Sequence, residues 1–230
     1  MKVSVIIPAA GQGTRMGSTI PKQFLLLNGR PILHHTLKAF ESSGAVDSVT
    51  LVVPEKDFED AKNKWSQDYR IVKNIVVGGK ERQDSVYNGF RVLDRDTDVV
   101  LVHDGVRPFV DKNMIERAVD AAQKYGAAVT AIPVSDTIKQ SDAQGFVTRT
   151  VDRSGLWRIQ TPQAFQYAVL HEAFQKAVKD SYYGTDEGSL LEYAGKMVKV
   201  VEGSEMNIKI TRKEDLILGE AILRSGTREG

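Results

Sequence analysis

Cysteine is absent from all 230 residues. That excludes a disulfide framework, a thiol nucleophile and any cysteine-built metal site. A Gly-x-Ser-x-Gly elbow is missing too, and histidine occurs only four times, so covalent nucleophilic catalysis has little to work with. An excess of either charge is also lacking. Lysine plus arginine (31) nearly cancel aspartate plus glutamate (30), leaving a formal net charge of +1. A general nucleic-acid or membrane-surface binder would carry a basic excess. No apolar run approaches the ~20 residues of a membrane-spanning helix. Strand-like sequence begins within three residues of Met1, which leaves no stretch for a signal peptide and predicts a cytoplasmic protein. What is present is an ordinary globular balance, 41% hydrophobic and 27% charged, on a chain long enough to bury a full core.

Short β-branched runs alternate with amphipathic stretches over the first 135 residues. Apolar runs at 3–9, 48–53, 71–77, 98–103 and 127–134 predict strands. The stretches 32–43, 56–65, 82–93 and 113–125 between them predict helices. Continuous rather than alternating apolar strands belong to a parallel sheet covered on both faces. The predicted fold class is therefore α/β, a doubly wound, mostly parallel sheet of Rossmann-like type, with ligands at the carboxyl ends of the strands. The alternation stops at Asp136. Two strand-like pieces flank the polar turn Ser141-Asp142-Ala143-Gln144-Gly145, an inserted hairpin whose edges need a partner. Beyond it the pattern predicts helices at 167–180 and 186–194, a strand pair at 197–202 and 207–211, and a closing helix at 213–224. Repeats, low-complexity segments and flexible linkers are absent, so the chain reads as one domain, 1–230, with 136–160 as a protruding arm.

The first strand runs into Pro8-Ala9-Ala10-Gly11-Gln12-Gly13-Thr14-Arg15-Met16-Gly17. A dinucleotide fingerprint needs a third glycine where Met16 stands, and an acidic residue about twenty positions on. No acidic residue occurs between Gly17 and Phe40. A P-loop needs its lysine directly after the last glycine, whereas Lys22 lies beyond Pro21. Neither motif fits. What remains is a turn of small residues whose backbone N–H groups can face a polyphosphate. Two cations, Arg15 and Lys22, follow on a segment able to fold over it. Such a pair suits a phosphorus centre that gains negative charge in its transition state.

Gly11-x-Gly13-x-Arg15-Met16, Pro21-Lys22-Gln23-Phe24 and Gly29-x-Pro31-Ile32-Leu33 resemble the signature of nucleotidyltransferases that make nucleotide sugars and alcohols. Later blocks narrow the resemblance: GGKERQDSV (78–86), VHDGVRP (102–108), DTIK (136–139), TVDRSGLWRIQTPQAF (150–165), TDEGSLLE (185–192) and NIKITR (207–212). In order, and over nearly the whole chain, they are similar to the 2-C-methyl-D-erythritol 4-phosphate cytidylyltransferase family of the non-mevalonate isoprenoid pathway. The resemblance implies attack by a methylerythritol phosphate oxygen on the α-phosphorus of CTP, with pyrophosphate leaving. Such a displacement asks for in-line positioning and charge stabilisation.

On the same resemblance, Arg15 and Lys22 line the triphosphate and stabilise the transition state. Ala9, Ala10, Gly11 and Gly13 approach the nucleotide through backbone atoms, and Gly79, Lys80 and Ser85 close around the cytosine. Asp104 and Arg107 lie near the hydroxyls and phosphate of the acceptor, and Gly105 and Val106 between them replace the two alanines of the usual family form. Thr137, Arg153, Thr161 and Thr185 match acceptor-binding positions, and Lys209 matches one that reaches the α-phosphate. Arg153 and Lys209 together would hold the attacking phosphate in line, since a guanidinium grips two phosphate oxygens at once. The arm would cross to a second subunit of a homodimer and supply part of its site in trans. Arg82 reads equally as a structural helix-start residue or a binding group. Trp157 reads as arm packing, and His34 and His35 as structural. Mg2+ is implied because a triphosphate needs charge neutralisation; no carboxylate cluster marks its ligands, and only Asp104 is a candidate. The alternatives are ribitol 5-phosphate cytidylyltransferase, whose acceptor differs, and a module that senses CTP without turning it over.

Overall fold

The computed structural model describes residues 1–11 and 21–226. Gly13 and Arg15 lie outside the described residues. A seven-stranded sheet forms the centre. Its first strand, β1 (Val3–Pro8), pairs in parallel with β4 (Ser48–Val53) on one side and β6 (Val99–Val102) on the other. β5 (Val72–Val77) continues in parallel beyond β4. A two-stranded ribbon, β2 (Leu26–Leu27) and β3 (Arg30–Pro31), lies between β1 and the first helix.

The chain thus steps from β1 outward through β4 to β5, then returns to the far side of β1 for β6. Strand order reverses at β1, and a crevice opens there at the carboxyl ends of the strands. β1 is buried on both faces. Along β1, Val3, Val5 and Ile7 face one core while Ile6 faces the other. The first core is closed by α1 (Ile32–Ser43), α2 (Phe58–Asp68) and α4 (Lys112–Tyr125). The second is closed by α3 (Arg82–Phe90), α5 (Tyr167–Lys179) and α6 (Glu187–Tyr193). Local signals agree with these spans. The Asp111 carboxylate caps α4 by accepting from the Met114 N–H at 2.7 Å, and α1 stops at Gly44, in the left-handed region at φ 65°.

The second half departs from the sequence pattern in two places. β7 (Ala127–Pro133) does not neighbour β6. Between them runs β10 (Trp157–Gln166), antiparallel to both. Its segment carries Arg158, Gln160, Thr161, Pro162 and Gln163 among few apolar residues, so it lacked the strand signature of its neighbours. The predicted strand at 207–211 is not one. β11 (Lys199–Glu202) pairs in parallel with β7, and residues 207–211 run as irregular chain against the site. α7 (Lys213–Gly226) closes the fold by packing Leu216 and Leu223 on a small core of Leu27, Ile32, Val106 and Ile210.

The hairpin of β8 (Ile138–Ser141) and β9 (Val147–Val151) is a separate two-stranded sheet. Nearly every residue from 135 to 159 is exposed. β10 rejoins the central sheet at Trp157, which pairs with Pro133. Among the described residues, no helix is long and apolar enough to cross a membrane.

Candidate active site

Two cavities adjoin at the carboxyl edge of the sheet and share Arg82, Asp104 and Lys209. The first, about 250 Å³, is lined by Ala9, Ala10 and Gly11 after β1, by Lys22, by Gly79 and Lys80 after β5, and by Ser85 on α3. The sequence-predicted nucleotide residues that the structure describes therefore meet in one place. Gln23 is buried beside them and its amide donates to the Ala9 carbonyl at 2.5 Å, tying the returning chain to the end of β1. The glycine pair is a steric requirement: a Cβ on Gly78 would stand 2.5 Å from the Ala10 Cβ and 2.9 Å from the Ser85 Oγ. Ser85 closes the turn, accepting from the Gly79 N–H at 3.0 Å and donating to the Glu81 carbonyl at 3.1 Å.

The second cavity, about 280 Å³, is lined by Arg107, Thr161, Thr185 and Asp186 besides the shared residues. Asp104, only 7% exposed, lines it and the first cavity alike. Its Oδ2 lies 2.8 Å from the Lys209 Nζ and 3.5 Å from the Arg107 Nε, and its Oδ1 lies 3.6 Å from the Arg82 Nε. Burial pushes this carboxyl up, but Lys209, Arg82 and Arg107 outweigh it and hold it well below the usual carboxylate range. Arg82, Arg107 and Lys209 thus converge on one carboxylate, and cations so gathered are of the kind that hold phosphate oxygens.

A buried polar scaffold fixes this cluster. His103 is fully buried, and burial lowers its pKa to about 4, so the ring is neutral. Its Nε2 lies 3.0 Å from the Arg107 carbonyl, which can only accept, so Nε2 carries the proton. Nδ1 must then accept, and the Thr161 hydroxyl donates to it at 3.2 Å. The same hydroxyl accepts from the Asp104 N–H at 3.0 Å. Asn207 donates from Nδ2 to the Thr161 carbonyl at 2.9 Å, while its backbone carbonyl accepts from the Arg107 Nη1 at 2.7 Å. On the other wall, Gln163 donates to Asp186 at 2.6 Å and accepts from the Gly188 N–H at 3.1 Å. Sequence reasoning missed His103, Gln163 and Asn207 as positioning groups. Each sits inside a quoted motif, and only its burial shows what it does.

Two predicted residues are not brought to the cavities of their own chain. Thr137 and Arg153 are exposed on the arm, and the Arg153 guanidinium donates to the Ser135 carbonyl at the arm's base. Arg82, left open between two roles, pairs with both Glu187 and Asp104. His34 meets Tyr69, and His35 lies 2.8 Å from the Leu27 carbonyl, both away from the cavities. Among the described residues, no group of three or more His, Asp and Glu side chains could hold a metal ion.

The family model described as IspD, 2-C-methyl-D-erythritol 4-phosphate cytidylyltransferase, matches residues 3–225. A protein of that name from Syntrophus aciditrophicus (strain SB) is 47% identical over 97% of this chain and 96% of its own. The crystal structure of 4-diphosphocytidyl-2C-methyl-D-erythritol synthase from Anaerococcus prevotii superposes with a TM-score of 0.85 at 33% identity, covering 97% of this chain and 98% of that one. The 2-C-methyl-D-erythritol 4-phosphate cytidylyltransferase of Thermus thermophilus does so with a TM-score of 0.81 at 35% identity, covering 97% and 100%. With a crevice of this construction, and matches at these identities over nearly its full length, the chain belongs to the 2-C-methyl-D-erythritol 4-phosphate cytidylyltransferase family.

Proposed function

We propose that this chain carries out its family's reaction by seating CTP in the first cavity and the acceptor phosphate in the second. The reaction transfers the cytidylyl group to 2-C-methyl-D-erythritol 4-phosphate and releases pyrophosphate, a step of isoprenoid biosynthesis. The observation that carries the proposal is the shared wall: Arg82, Asp104 and Lys209 line both cavities, where an acceptor oxygen must meet the α-phosphorus.

In this reading the small residues Ala9, Ala10, Gly11 and Gly13 let the backbone approach the nucleotide, and Gly79, Lys80 and Ser85 close on its base. Arg15 and Lys22 offset the charge that builds on the α-phosphate as the new bond forms. Asp104 accepts from acceptor hydroxyls, helped by Thr161 and Thr185, while Arg107 and Lys209 hold anionic oxygens. Lys209, 2.8 Å from Asp104, spans the junction and aligns the attacking phosphate. Both Asp104 oxygens already face cations, so the chain fits a divalent ion carried by the triphosphate better than one in a protein cage. Bound that way, Mg2+ would neutralise phosphate charge, with Asp104 the nearest carboxylate.

We further propose a cytoplasmic homodimer built on one domain, 1–230, with 136–160 as its dimerisation arm. Phe146, Val147, Trp157 and Ile159 are 72%, 62%, 43% and 42% exposed, and isolated two-stranded hairpins are marginal in water. A second subunit would cover these side chains and receive Thr137 and Arg153 at its acceptor cavity. The test of the activity is pyrophosphate release on mixing the protein with CTP, Mg2+ and the acceptor. Release with 2-C-methyl-D-erythritol 4-phosphate, and little with ribitol 5-phosphate, is the expected result. Release with ribitol 5-phosphate alone, or with neither, would refute the assignment.

A further inference from the structure

Glu187, the first residue of α6, is 1% exposed. Both its oxygens accept from one nitrogen, the Arg82 Nη1, at 2.8 and 2.9 Å. Arg82, the first residue of α3, turns its Nε toward Asp104 at 3.6 Å. Its Nη2 has no protein hydrogen-bond partner among the described residues, and the side chain lines both cavities. We infer that Glu187 is a positioning residue for cytidylyl transfer: it locks the Arg82 guanidinium at the junction, with its remaining edge turned to the substrates.

Three observations support this. The pair joins the two walls of the crevice, since α3 carries Ser85 on the nucleotide side and α6 follows Thr185 and Asp186 on the acceptor side. A guanidinium hydrogen-bonded to Glu187 and drawn by charge toward Asp104 at 3.6 Å has fewer orientations open to it than one without the Glu187 anchor. A buried ion pair is also a poor source of stability, because desolvation offsets most of the attraction and apolar residues of like volume serve as well. Burial does push the Glu187 carboxyl up, against the pull of Arg82. A carboxylate kept there at that cost has a use in holding a charge in place.

The inference rests on the family's reaction, so the wild type is assayed first. Failure to release pyrophosphate would refute that reading and leave Glu187 out of the question. With an active wild type, Glu187→Gln and Glu187→Asp are compared by kcat/KM for each substrate and by melting temperature. Glu187→Gln removes the charge, and Glu187→Asp keeps it but withdraws it by one methylene. Small misplacements of a substrate-facing group cost up to about 100-fold. Both variants, folded at the assay temperature, are expected to lose at least about 10-fold in kcat/KM for CTP and for the acceptor. Because Glu187 acts through Arg82, the Arg82→Gln/Glu187→Gln protein is expected to be no slower than Arg82→Gln alone. Should Glu187→Gln not fold, Glu187→Asp carries the test. Either folded variant within twofold of wild type, or losses that multiply in the double variant, would overturn the inference, leaving the pair a mere staple between α3 and α6.

Discussion

At the scale of single residues, the proposed site has groups that would meet phosphate and groups that hold them in place. Lys22 belongs to the first kind, on the wall of the nucleotide cavity. A cation that matters most as charge builds at phosphorus acts on the transition state more than on bound CTP. Lys22→Ala is expected to lower kcat on the order of 100-fold or more, with a much smaller change in CTP affinity. A raised KM at normal kcat would show uniform binding instead. His103 belongs to the second kind. Buried and neutral, with a pKa lowered to about 4, it takes up a proton far less readily than the unfolded chain, near 6.5. Between those values the unfolded state binds the extra proton, so stability is full above the upper value and falls as pH drops toward the lower. The slope is about 1.4 kcal/mol per pH unit for one proton. His103→Gln is expected to flatten the pH dependence of denaturant midpoints between about pH 6.5 and 4. Asp104, Arg107 and Lys209 surround the ring and remain in the variant. Asp104, already depressed, titrates below this window, while His34, lowered by burial, and Glu187, raised by it, are common to both proteins. An unchanged slope would mean that His103 is protonated in the fold.

At the scale of elements, legibility in the sequence followed burial. Strands β1, β4, β6 and β7 announce themselves because both faces are buried and mostly apolar residues fill them, and the edge strand β5 by its run Ile75-Val76-Val77. The glycine turn is legible from its run of small residues, Lys22 as a cation following that turn, and the blocks at 78–86 and 102–108 through their resemblance to the family's motifs. β10 was illegible. It lies inside the sheet beside β6, yet it carries Gln160, Thr161 and Gln163 because its middle lines the second cavity rather than filling the core. The register shift between Ile159 and Gln163 marks that passage. Residues 207–211 misled in the opposite sense. Their alternation of Ile208 and Ile210 with polar residues has the period of a strand. Here Ile210 is buried in the small core under α7 while Lys209 reaches Asp104. A two-residue period reports one side turned inward, whether or not a neighbouring strand supplies hydrogen bonds. Positioning groups such as His103, Gln163 and Glu187 were illegible singly, because a polar residue in a motif does not declare whether it faces ligand or protein.

At the scale of the whole molecule, the decisive feature is that one chain does not gather all its predicted site residues. Lys22 lines its own nucleotide cavity, whereas Arg153 stands on the exposed arm. If the arm serves a partner subunit, Arg153→Ala and Lys22→Ala damage different halves of one composite site. Each variant homodimer is then expected to be nearly inactive. In a mixed dimer the two defects fall together in one site and leave the other intact. Random reassortment of equal amounts makes about half the dimers mixed, so roughly a quarter of all sites regain both groups in a two-fold symmetric assembly. Activity per site should rise toward that fraction of wild type as subunits exchange, measured by pyrophosphate release. If Arg153 served its own chain, every site in every dimer would keep one defect and mixing would restore nothing. Exchange itself is checked independently, by mass spectrometry of differently tagged chains. A flat activity curve with exchange complete would place the arm against its own subunit and remove the composite site.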